Sequence, residues 1–157
     1  MKRARDSQRS KLYKSENCFR INPEPTLSLV DCQRLADRVV AWSQEYTPPI
    51  KGGPHYPYHC GRPDRVTVRD GRGRRSANAN ATTLTIKLPR WARQRWVVLH
   101  EMAHILQTED PAHGRQFAAI FLDLVRHFMG REAEQMLRLS YRSHRVKWCA
   151  KRPKREV

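Results

Sequence analysis

His100-Glu101-Met102-Ala103-His104 sets two imidazoles and a carboxylate side by side in the chain. On a helix, residues i and i+4 lie one above the other on one face, the separation at which two rings can hold a single ion. Glu101 projects in a neighbouring direction, close enough to reach a water on that ion without being a ligand. This is the H-E-x-x-H arrangement of zinc hydrolases. The plain alternative is a chance pentapeptide with both rings hydrogen-bonded in a core. Against it stands the cost of burying three ionisable groups on an otherwise apolar helix unless they are paired or coordinated.

A catalytic zinc takes three protein ligands and keeps one position open. The sequence offers His113, in Pro111-Ala112-His113-Gly114, as the third. Pro111 is expected to break the ligand helix and Gly114 to relax the backbone, so that His113 comes back over one Zn2+ ion. The resulting H-E-x-x-H-x8-H spacing is longer than the metzincin pattern and lacks its glycine. An acidic third ligand stays open, with Glu109, Asp110, Asp123, Glu132 and Glu134 as the available carboxylates. Zinc chemistry would have Glu101 take a proton from the attacking water and pass it to the leaving amine. An oxyanion helper could come from Tyr141, His127 or Arg115. His55 and His59, beside Cys60, have no partner pair for a second site, and His144 reads as solvated.

These residues need elements to position them. Apolar residues at helical spacing predict a helix over Ser28–Tyr46, capped by Thr26 or Ser28 and ended by Pro48 and Pro49. A Pro- and Gly-rich connection follows over residues 47–63. Arg65–Arg69 and Thr82–Leu88 alternate and read as two short strands of one antiparallel sheet. The second precedes the metal helix and is expected to pair with an extended peptide along a cleft. Arg90–Gln107 is apolar almost all round, as in a buried helix. Two more helices are predicted, Arg115–Met129 with Gly130 at its end and Arg131–Ser143. The fold class is α+β: a small antiparallel sheet, a buried H-E-x-x-H helix and two following helices.

Composition bounds the remainder. The 157 residues allow one domain, and 31 Lys and Arg against 15 Asp and Glu leave a net charge of +16. Such an excess points to a polyanionic partner, here non-specific nucleic acid. The candidate contacts are Arg62, Arg65, Arg72, Arg74 and Arg75 around two glycines, and Lys151, Arg152, Lys154 and Arg155 near the C-terminus. Residues 1–19 and 147–157 read as basic tails around a domain at 20–146, the first of them without order, although Val146 and Trp148 could pin the start of the second. No apolar run suits a membrane span or a secretory signal. Four cysteines without a C-x-x-C pair fit reduced thiols in a bacterial or phage-infected cytoplasm.

The run from Val97 to Val146 resembles an actinobacterial and actinophage family of H-E-x-x-H metallohydrolases, distantly similar to SprT-like zinc peptidases. The resemblance rests on Leu99-His100-Glu101-x-Ala103-His104, Ala112-His113-Gly114-x-x-Phe117, Met129-Gly130-x-Glu132-Ala133 and Leu137-Arg138, with Thr82–Arg93 as a weaker lead-in. It implies a single zincin-like domain, His100, His104 and His113 as ligands, and Glu101 as acid and base. The sequence departs at Arg115-Gln116, where SprT-like proteins often have Pro-Glu. The function implied is a zinc metallopeptidase acting on protein or peptide. The alternatives are a basic nucleic-acid-binding protein with structural zinc, and a repressor-cleaving protease with an acidic ligand.

Overall fold

The computed structural model describes residues 5–45 and 60–148. The Pro- and Gly-rich stretch with His55 and His59, and the C-terminal basic residues from 149 onward, lie outside the described residues. Among the described residues the architecture is α+β, with five helices and a three-stranded mixed sheet. In chain order the elements are α1 (Arg9–Ser15) running into a 3-10 turn (Glu16–Arg20), α2 (Leu29–Glu45), β1 (Thr67–Asp70), β2 (Asn78–Asn80), β3 (Thr85–Leu88), a 3-10 turn (Arg90–Ala92), α3 (Arg95–Leu106), α4 (Arg115–Met129) and α5 (Arg131–Ser143).

Helix α2 starts where Ser28 accepts the Asp31 backbone N–H at 3.0 Å, and its hydroxyl donates to the Asp31 carboxylate at 2.8 Å. This reciprocal cap satisfies an amide that the first turn would otherwise leave without a partner. Its buried face, Cys32, Leu35, Ala36 and Val39, packs toward α3 and β1. Helices α4 and α5 keep the predicted bounds, and Gly130 between them adopts φ +98, a conformation that suits glycine. Helix α3 is buried nearly all round, packed among α2, α4 and β2. It is shorter than expected: Arg90–Ala92 forms a separate turn, and the helix ends at Leu106, well before Pro111.

The sheet differs from expectation in direction. β1 pairs with β3 in parallel, Thr67 opposite Thr85 and Asp70 opposite Leu88, while β2 pairs antiparallel to β3. The order is β1-β3-β2. The connection after Asp70 contains its own strand, which takes the antiparallel edge of β3 and leaves β1 the other. Ile86 and Leu88 point into the core with no exposure. Where β1 ends the chain crosses β3 so closely that a Cβ on Gly71 would lie 2.5 Å from the Pro89 nitrogen.

The N-terminal segment is the larger correction. Its charge reads as an unordered tail, yet Leu12 is fully buried and Phe19 stacks on Trp96 with ring centroids 5.8 Å apart. The Gln8 side-chain amide both donates to and accepts from the Lys147 backbone at 3.0 Å, and Ser140 donates to the Ser15 carbonyl at 2.7 Å. These contacts hold α1 and its following turn against α5 and the start of the C-terminal stretch. Val146 is buried and Trp148 lies against Tyr141, as the sequence anticipated.

Candidate metal centre

Helix geometry brings His100 and His104 onto one face of α3, with ring centroids 5.0 Å apart. After α3 the chain turns back, and Gln116 holds the turn. Its side-chain oxygen accepts the Thr108 and Glu109 amides at 2.7 Å each, while its nitrogen donates to the Thr108 hydroxyl. Gln116 thereby shapes the approach of His113. Gly114 serves the same turn through its missing side chain: a Cβ there would lie 2.8 Å from the Pro111 ring. His113 arrives with its ring 4.7 Å from His104 and 5.7 Å from His100. One ligand nitrogen from each of the three lies within 4.8 Å of the others, close enough to bind one metal ion. None of the acidic candidates joins this group among the described residues.

Every one of the three Nδ1 atoms is already engaged. His100 Nδ1 meets Glu16 at 2.5 Å, His113 Nδ1 meets Asp6 at 2.7 Å, and His104 Nδ1 meets the Gln107 side-chain oxygen at 2.9 Å. Gln107 turns that oxygen toward the ring because its amide nitrogen donates to the Glu109 and Pro111 carbonyls. His104 is therefore the donor at Nδ1, which leaves Nε2 with its lone pair. The same logic applies at the two carboxylates, and it is the arrangement by which outer partners orient ligating histidines. Among the described residues, His113 Nε2 is buried without a hydrogen-bond partner. An orphaned imidazole nitrogen facing two others is what a bound ion would satisfy, so the residues fit a metal.

Electrostatics agree. Burial pushes His104 down to about 3, with neighbouring His100 acting in the same direction. His113 is also lowered, chiefly by burial, with Asp6 opposing. Both rings are neutral near neutral pH and free to coordinate. For His100, burial pulls downward but the Glu16 carboxylate outweighs it and the balance is upward. Glu101 is buried, and burial raises its carboxyl, with His100 opposing. Phe117, from the first turn of α4, lies under all three rings at 4.9, 4.3 and 5.1 Å from His100, His104 and His113.

The site opens into a cleft of about 890 Å3. Its floor is α3, with His100, Glu101 and His104 lining it, one wall is β2 with its flanks, and the other comes from α1 and the turn after it. The expectation that Thr82–Leu88 pairs with a substrate strand is corrected here, since β3 is central and both its edges are taken. β2 is the strand that borders the cleft. None of the three oxyanion candidates lines it. Tyr141 is fully buried with its hydroxyl donating to the Ala118 carbonyl at 3.1 Å, and His127 packs on Trp42 and Phe128. Arg115 stands at the start of α4, off the cleft.

Four residues around the rings were missed by sequence reasoning: Asp6, Glu16, Gln107 and Tyr13, whose ring stacks on His100 at 5.7 Å and 13°. Only Gln107, one turn past His104, carried a local signal. The others sit in a segment that composition marked as a tail. Of the basic candidates, Arg62, Arg65, Arg72, Arg74 and Arg75 are exposed, outside the metal cluster; Lys151, Arg152, Lys154 and Arg155 lie outside the described residues. No helix among the described residues is long and apolar enough to cross a membrane. In comparisons with known proteins, no family model, curated sequence or solved structure matches this chain.

Proposed function

We propose that the chain is a zinc-dependent peptidase with a zincin-like active site, of the SprT-like kind its H-E-x-x-H to His-Gly run resembles. The observation that carries this reading is the set of three histidines with every Nδ1 committed and the remaining nitrogens close to one another, beside Glu101, with His100 and His104 lining a cleft. Three imidazoles, His104 and His113 among them held neutral by burial, suit zinc. The ion would supply Lewis acidity toward a water and a substrate carbonyl.

The chain's own residues do the rest. Glu101 takes a proton as the water attacks and returns it to the departing amine; its raised pKa suits the second role as well as the first. Glu16, Asp6 and Gln107 fix the ring orientations, and Phe117 keeps water from beneath them. β2 borders the cleft and offers an edge to an extended peptide. The basic surface holds the enzyme near nucleic acid, where its substrate is protein bound there.

A basic nucleic-acid-binding protein with structural zinc is the competing reading. Structural sites are closed by four ligands, whereas this cluster has three among the described residues and faces a cleft. Glu101→Gln separates the two. The variant should keep one zinc per chain by elemental analysis and lose hydrolysis of an unfolded protein substrate by at least about a hundredfold, in the range of general acid–base catalysis. His113→Ala should lose the zinc. Turnover by Glu101→Gln equal to wild type would end the enzyme reading.

A further inference from the structure

The cleft along α3 is graded in charge. Where α3 ends, Glu109 and Asp110 line it. Where α3 begins, a side pocket of about 200 Å3 opens from it, formed by Arg20, Pro23, Trp91, Gln94, Trp96 and Val97. Arg20, Trp91, Trp96 and Val97 also line the main cleft, so the pocket is continuous with the place where Glu101 and the histidines sit. It is the size of one side chain.

The polar equipment of this pocket is narrow. Trp96 spends its indole N–H on the Gln94 side-chain oxygen at 2.9 Å. The Arg20 guanidinium lies over the Trp96 ring, 5.4 Å from its centroid, and makes no ion pair among the described residues. A guanidinium resting on an aromatic ring without an ion pair keeps its charge for another partner, and its planar fork matches a carboxylate. Trp91, half exposed, stands at the opening as an apolar side. Pro23 and the two indoles suit a short methylene stem, and Arg20 the acid at its end.

We propose that this pocket selects substrates with an acidic side chain, Asp or Glu, within a residue or two of the bond that is cut, and that Arg20 is the specificity-determining residue. The inference rests on the peptidase reading for the word substrate, but its test does not need turnover. Zinc-loaded Glu101→Gln protein is titrated with three capped peptides that are identical except for a single Glu, Gln or Lys, and tryptophan fluorescence reports binding. The Glu peptide should bind roughly tenfold more tightly than the Gln peptide, the size of one charge-assisted hydrogen bond. Adding Arg20→Gln should bring the two to equal affinity, and adding Arg20→Glu should favour the Lys peptide. Both changes are at an exposed position, and thermal melts matching the parent show that the fold is kept.

Equal affinity for the Glu and Gln peptides in the parent protein, or a preference untouched by Arg20→Gln, overturns the proposal. So does a single-stranded oligonucleotide that displaces the Glu peptide and itself loses binding in Arg20→Gln, because the pocket would then serve phosphate. If the binding pattern holds and the wild type cleaves no peptide, the peptidase reading falls while the selectivity of the pocket stands. Cleavage without any acidic preference sinks the pocket alone.

Discussion

Glu16 and Asp6 each hold a ring of the histidine cluster, but they differ in what surrounds them. The Glu16 side chain is 4 % exposed and that of Asp6 is 26 % exposed. A carboxylate acts on its imidazole more strongly where solvent screens it less. Loss of such a partner commonly weakens metal affinity about 10–100-fold. Glu16→Gln, which keeps an acceptor and removes the charge, should fall at the stronger end of that range, and Asp6→Asn at the weaker. Competition against a chromogenic zinc chelator measures both. Identical affinities in the wild type and Glu16→Gln would mean that the three rings alone set the binding.

Among the elements, the path from α1 to α3 decides whether the site forms. Glu24, in the stretch between the N-terminal turn and α2, meets Arg95 at the first residue of α3 through two hydrogen bonds, one of them 2.8 Å and the other shorter. Arg95 also donates to the Phe128 carbonyl. The pair ties the N-terminal segment to the start of the helix that carries His100 and His104. The Arg95 hydrogen bond holds the Glu24 carboxyl below its ordinary value of 4.5, against a smaller contribution from burial. A depressed folded pKa stabilises the native state above the ordinary value, and that stabilisation fades as pH falls through the depressed one. Thermal melts should therefore place wild type above Glu24→Gln near pH 6, with the gap closing as pH drops below the normal carboxylate range. A gap that stays constant down to pH 3 would exclude the ion pair as its source.

The same elements show where sequence is informative. Helices α4 and α5 and the Gly130 junction follow from period and punctuation, because a repeating apolar stripe is a local signal. The His100–His104 spacing is legible for the same reason, and His113 through the Pro111 and Gly114 bracket. The direction of β1 is not, since parallel or antiparallel pairing depends on which strand the intervening chain inserts, and β2 is only Asn-Ala-Asn. Nor is the order of residues 6–20. Two buried apolar side chains, Leu12 and Phe19, and a few pairings such as Gln8 with Lys147 fasten that segment, and a composition average cannot see position.

For the molecule as a whole, the net charge of +16 and the cleft have to be read together. Arg72, Arg74 and Arg75 are exposed on the turn after β1, and the chain runs from them directly into Ser76 and β2, the wall of the cleft. A phosphate backbone lying on that turn would sit beside the opening that leads to Glu101, so protein attached to the same nucleic acid would be presented to it. Contacts of this kind release counterions, and the logarithm of affinity falls with the logarithm of salt by about 0.9 per phosphate neutralised on duplex DNA. Replacing the three arginines by Gln should lower that slope by roughly 2–3 and weaken binding alike for unrelated sequences. Zinc content should not change, because none of the three touches the histidine cluster. Fluorescence anisotropy with two unrelated duplexes across a salt series is the measurement. Affinity that is flat with salt, or a slope indifferent to the triple change, would separate the basic turn from nucleic acid and leave the cleft to find its substrate by the Arg20 pocket alone.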